Sequence, residues 1–168
     1  IFKKNFNLAI TNHRNRNYQD AINYYNKAID INPKHTNSYY NLGLLLHEIK
    51  NYKEAIGCFE KTLETEPRFK NANNNLGIIF YKLGENLKAI TCYENEIQIY
   101  PLNNEAYNNL GIVFYNLGEI QKARNVFEKA IHIDPDFIRA HNNLAILFCD
   151  IKETEKAINC FEKVLKID

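Results

Sequence analysis

Residues Glu105 to Gly118 read EAYNNLGIVFYNLG, and copies of this stretch stand at one fixed distance on either side. One step back, NANNNLGIIFYKLG starts at Asn71, and two steps back NSYYNLGLLLHEIK starts at Asn37; one step forward, RAHNNLAILFCDIK starts at Arg139. The step is 34 residues. A unit this short cannot bury an apolar face alone, so the period implies stacked copies sharing one core. It divides the 168 residues into five units, 2–35, 36–69, 70–103, 104–137 and 138–168, read as a single array over 1–168. The absence of methionine marks the sequence as a piece of a longer protein.

Each unit reads as two helices. In the fourth, Tyr107, Leu110, Gly111, Phe114 and Leu117 recur at helical spacing, so they share one face. Gly84 and Gly118 then fall where a helix is expected to stop. In the second half a small residue recurs at Ala21, Ala55, Ala89, Ala123 and Ala157, with an aromatic four positions later at Tyr25, Phe59, Tyr93, Phe127 and Phe161. That i, i+4 pair faces a single neighbour. Pro33, Pro67, Pro101 and Pro135 mark the joints, since proline ends a helix and turns the chain. The expected fold class is all-α, a solenoid of helix-turn-helix hairpins.

Composition narrows the function classes. With 45% hydrophobic and 24% charged residues the chain is that of a folded protein. Its 21 basic and 20 acidic residues are intermixed, so it offers no broad basic surface to a phosphate backbone, and nucleic acid is not expected as a partner. Apolar runs such as Leu42 to Leu46 are too short to span a bilayer, and no membrane partner is expected. Cys58, Cys92 and Cys160 share one repeat position; stacked helices lie about 8–10 Å apart, beyond disulfide reach. Free thiols and a reducing cytoplasmic or nuclear compartment fit this pattern.

The residues that recur carry a family resemblance. Tyr107, Leu110, Gly111, Phe114, Ala123, Phe127, Ala130 and Pro135 in the fourth unit, with Leu76, Gly77, Phe80, Ala89, Tyr93 and Pro101 in the third, resemble the tetratricopeptide repeat. The second unit matches through Tyr39, Leu42, Gly43, Leu46, Ala55, Phe59 and Pro67; the fifth has Ala145 for the glycine. The first departs more, with Asn5, Asn12 and Asn15 where the others are mostly apolar, and Glu96 stands at a place usually given to a small residue. The resemblance implies a right-handed superhelix with a concave groove lined by the first helices. It also implies a solvating helix after the last repeat. Without one, Ile158, Phe161 and Leu165 are expected to be exposed, and the expectation is that either further repeats cover that end in the full-length protein or the fragment self-associates through it.

No phosphate-binding glycine loop, CxxC, HExxH or GxSxG occurs, so no catalytic residue, metal ligand or cofactor is assigned, and the chain by itself is not read as an enzyme. His13 and His47 are one period apart, too far to share a metal. The informative column is Asn7, Asn41, Asn75, Asn109 and Asn143, in the middle of every first helix. Asparagine there costs roughly 0.5–0.7 kcal/mol relative to alanine. A carboxamide donates and accepts as a peptide group does, so regularly stacked copies would meet an extended peptide about every three residues and grip its backbone. The other reading is that these side chains bond to the neighbouring repeat. Further candidate groove positions are His47, Tyr81 and Tyr115 on one row with Cys149, and Asn74, Asn108 and Asn142 beside Tyr40.

The unbroken asparagine column, with Pro-Arg-Phe at Pro67 and Pro-Asp-Phe at Pro135, resembles the repeat region of the O-linked N-acetylglucosamine transferase and the Spindly-type O-fucosyltransferase. That resemblance implies delivery of substrate protein to a catalytic domain outside this sequence. The transferase repeats often carry aspartate four residues before the asparagine; here Lys3, Asn37, Asn71, Glu105 and Arg139 stand there. A non-enzymatic adaptor or scaffold is the alternative. Its carboxylate-holding co-chaperone form needs a lysine where Phe6, Tyr40, Asn74 and Asn108 stand.

Overall fold

The computed structural model describes residues 1–167. Among these residues there are ten α-helices and no strand: α1 (Phe2–Arg14), α2 (Tyr18–Ile31), α3 (Thr36–Glu48), α4 (Tyr52–Thr65), α5 (Ala72–Lys82), α6 (Asn86–Ile99), α7 (Asn104–Asn116), α8 (Ile120–Ile133), α9 (Ile138–Asp150) and α10 (Thr154–Ile167). They fall into two compact units, Ile1–Ile79 and Phe80–Asp168. In the first unit α1 packs on α2 and α3 on α4; in the second, α7 packs on α8 and α9 on α10.

The hairpins close because small residues let two helices approach. Ala21, Ala55, Ala123 and their facing aromatics Tyr25, Phe59 and Phe127 are buried. A Cβ built on Gly43 would lie 2.9 Å from the Phe59 ring, and one on Gly111 would lie 2.4 Å from the Phe127 ring. The ring therefore occupies the volume that glycine leaves. In the fifth repeat Ala145 replaces that glycine, and its aromatic, Phe161, is 39% exposed where Phe127 is 1% exposed. Ile158 and Leu165 share this exposure.

One backbone device ends every first helix. Arg16, Lys50, Gly84, Gly118 and Lys152, each 34 residues apart, all take positive φ between 61° and 77°. The residue after each reaches back to a carbonyl five positions upstream, as in Asn51 N–H to Leu46 O at 2.8 Å and Glu119 N–H to Phe114 O at 2.9 Å. This left-handed cap satisfies carbonyls that would otherwise be orphaned.

The departures from the repeat pattern have local explanations. Glu96 is fully buried, and its Oε1 accepts from Asn103 Nδ2 at 3.0 Å while Asn103 Oδ1 caps α7 by accepting from Ala106 N–H at 3.2 Å. A carboxylate in place of a small side chain thus fixes the turn between α6 and α7. In α1, Ala9 alone is buried. Asn12 Nδ2 donates to the Leu8 carbonyl at 2.9 Å, and Phe2 and Phe6 pack on the edge of the His35 ring at 4.6 and 4.9 Å.

Candidate functional site

The asparagine column lies on the first helices of both units. Asn7 is exposed, and Asn41, Asn75, Asn109 and Asn143 are half-buried. Asn41 Nδ2 donates to the Asn37 carbonyl of its own helix at 2.8 Å. Asn75 Nδ2 donates to the Asn71 carbonyl at 2.9 Å and to the Tyr40 hydroxyl at 3.2 Å. Asn143 Nδ2 donates to Asn108 Oδ1 at 2.8 Å. Asn75 and Asn143 thus each tie a repeat to the one before, as the second reading of the column expects. Among the described residues, the Oδ1 atoms of Asn41, Asn75 and Asn143 accept no bond, and each carboxamide is oriented through its nitrogen.

These ties follow a rule that the sequence reading did not find. Partners on consecutive first helices stand 35 residues apart, one more than the period. In the first unit His13 Nε2 donates to Glu48 Oε2 at 3.0 Å, and Tyr18 from α2 donates to the other oxygen of the same carboxylate. In the second unit the Tyr115 hydroxyl donates to Asp150, and Asn116 Nδ2 donates to the Tyr81 hydroxyl. Adjacent helices are displaced by one residue when they pack, so residue i meets i+35 rather than i+34. The Glu48 carboxyl is consequently held below its usual range, by the Tyr18 and His13 hydrogen bonds in that order, and the Tyr115 phenol is held above its own by Asp150.

The remaining groove candidates divide by depth. His47, Tyr81, Tyr115 and Asn142 are half-buried, so part of each reaches the surface. Asn74 and Asn108 are 8% and 2% exposed, which puts them inside the wall; Asn108 serves as the acceptor for Asn143. All four cysteines are free, and burial pushes the Cys58 thiol up to about 11, which leaves it neutral and unreactive. Among the described residues no helix is long and apolar enough to cross a membrane.

Comparisons with known proteins agree with this architecture. Models described as tetratricopeptide repeat match residues 2–65, 105–137 and 126–159, and one described as TPR repeat matches 79–118. The curated proteins give no match. Among solved structures, one of MamA is 25% identical with a TM-score of 0.86, over 95% of this chain and 94% of that one. PilF of Pseudomonas aeruginosa is 20% identical with a TM-score of 0.87, over 99% and 76% of the two chains. YrrB, a TPR protein with an unusual peptide-binding site, is 23% identical with a TM-score of 0.76, over 98% and 84%.

Proposed function

This chain is built of tetratricopeptide repeats, and from that premise we propose that it is a protein-interaction module whose first-helix walls bind an extended polypeptide segment by its backbone. The observation that carries the reading is the set of carboxamide oxygens on Asn41, Asn75 and Asn143, recurring by repeat and fixed by their own nitrogens. An oriented acceptor needs no reorganisation to take a peptide N–H, so less conformational entropy is lost on binding. Such a contact reads the backbone and tolerates varied side chains. His47, Tyr81 and Tyr115 add half-buried rings to these same helices, α3, α5 and α7. The peptide-binding site of YrrB is a precedent on the same fold. A finer form of the reading, presentation of protein substrates to an O-glycosyltransferase domain, rests on the unbroken asparagine column.

The test is peptide binding to the whole chain by variants that separate grip from folding. Asn75, Asn109 and Asn143 changed together to alanine are expected to weaken peptides of unrelated sequence by a similar factor. Asn41→Ala is the cleaner single change, because among the described residues its side-chain bond runs within α3. It is expected to weaken the same peptides with helicity and melting temperature nearly unchanged. Unaltered affinity in both variants rejects the backbone grip.

A further inference from the structure

A second surface lies on the other side of the first unit, where the repeat pattern is broken three times at one place. In the later repeats a lysine of the second helix lies over a phenylalanine of the first: Lys88 over Phe80 at 5.1 Å, Lys122 over Phe114 at 5.5 Å, and Lys156 over Phe148 at 5.5 Å. The residues at the same positions in the second repeat are Leu46 and Glu54. Three residues on, where Asn23, Thr91, Asn125 and Asn159 stand in the others, the second repeat has Gly57; the first repeat has Asn12 and Asp20 in place of the ring and the lysine but keeps the side chain of Asn23.

Ring, cation and side chain are thus all missing from one spot, and the space they leave is open. Leu46, Glu54 and Gly57 line a cleft of about 380 Å³ with Ile22, Tyr39 and Leu42. That size is within the roughly 300–1,000 Å³ of ligand pockets. A Cβ on Gly57 would meet nothing within 4 Å. Cys58 and Leu42 give it apolar walls, and Asn26 and Lys61 stand at its rim. Lys61 is neutralised by Glu64 at 2.6 Å, whereas Glu54 is exposed and has no ion-pair partner among the described residues. The equivalent place in the third repeat is a smaller cleft of about 280 Å³, lined by Phe80 and Lys88 among others.

We propose that this cleft between α2, α3 and α4 docks a large apolar side chain, aromatic by preference, carried by a partner polypeptide next to a lysine or arginine. The partner supplies in trans the ring and the cation that the third to fifth repeats supply from their own sequence. Charge complementarity fixes the choice of neighbour: the Glu54 carboxylate stands where the third to fifth repeats have an ammonium, so an incoming cation is paired and an incoming anion is repelled. The site is separate from the asparagine wall. Asn41 is one residue from Leu42, about 100° around α3, and faces away from Tyr39, Leu42 and Leu46.

The probe is acetyl-Phe-Lys-amide, with acetyl-Phe-Glu-amide and acetyl-Ala-Lys-amide as controls, titrated into the full chain and followed by backbone amide shifts in nuclear magnetic resonance. The Phe-Lys probe is expected to move the amides of Leu46, Gly57 and Cys58 with millimolar affinity, and both controls to bind at least several-fold more weakly. Glu54→Lys should reverse the order of the Phe-Lys and Phe-Glu probes. Gly57→Leu fills the cleft from an unobstructed position, so it should abolish binding without lowering the melting temperature. Equal binding of the Phe-Lys and Phe-Glu probes, shifts confined to the asparagine wall, no shifts at all, or undiminished binding to a folded Gly57→Leu chain would each overturn the proposal.

Discussion

Two glycines inside helices should respond to the same substitution with opposite signs. Gly57 sits in α4, facing solvent and the cleft, and an added Cβ there touches nothing within 4 Å. Gly57→Ala therefore keeps only the helix-propensity gain, about 1 kcal/mol. Gly111 sits in α7, where the added Cβ would lie 2.4, 2.6 and 2.9 Å from three carbons of the Phe127 ring. That ring is 1% exposed and belongs to a cluster with Leu144, Leu147 and Phe148, so it has no free direction in which to move. Over-packing of this kind costs about 1–3 kcal/mol. After the same propensity gain of about 1 kcal/mol, Gly111→Ala is net destabilising by about 1 kcal/mol. Gly43→Ala, with closest approaches of 2.9–3.1 Å to Phe59, should fall between the two. Since 1 kcal/mol moves the midpoint of a 150–250-residue chain by about 2–4 °C, melting followed by circular dichroism should show one variant rising and the other falling. Midpoints that move in the same direction would refute the claim that ring contact decides the sign.

Other outcomes follow from single positions. Lys50 holds φ at 63°, a left-handed conformation that the equivalent Gly84 and Gly118 take without a Cβ; Lys50→Gly is expected to stabilise by up to about 1 kcal/mol, read as a higher denaturation midpoint. His35 caps α3 through Nδ1, which accepts from Ser38 N–H at 3.2 Å, and burial holds its pKa below the usual 6.5. The folded state thus favours the neutral ring, and this contribution is complete above pH 6.5 and lost as pH falls through the lowered value. His35→Asn, which copies the cap that Asn103 provides for α7, should show a smaller drop in melting temperature between pH 7 and pH 5 than the parent chain.

The fold was legible because its signals repeat. Prolines at Pro33, Pro67, Pro101 and Pro135 and aromatics at Tyr25, Phe59, Tyr93 and Phe127 each confirm one another, so a single ambiguous helix does not mislead. The turn after each first helix was only partly visible. Gly84 and Gly118 announce a left-handed residue, but Arg16, Lys50 and Lys152 adopt the same φ without any local propensity for it, forced by the closure of the hairpin. The site was harder. Asparagines stand side by side at Asn73 to Asn75, Asn108 and Asn109, and Asn142 and Asn143, and residue type alone cannot say which faces inward. The structure buries Asn73, Asn74 and Asn108 and leaves Asn75 and Asn109 half-buried. The 35-residue ties were hidden for another reason: His13 with Glu48, Tyr81 with Asn116 and Tyr115 with Asp150 share geometry but not chemistry, so no column of identical residues marks them.

A repeat chain also contains its own reference state, which changes what a departure means. In an ordinary domain Gly57 would be an exposed helical glycine of no account. Here the four other copies of the position carry threonine or asparagine, and the second repeat also lacks the lysine and the ring that stand beside it in the third to fifth. Leu46, Glu54 and Gly57 line one cavity. Helical spacing separates that cavity from the asparagine wall, so substitutions at Glu54 and Gly57 can alter one surface while the carboxamides of Asn41 and Asn75 keep their hydrogen bonds. The two proposed surfaces then need no communication through the core.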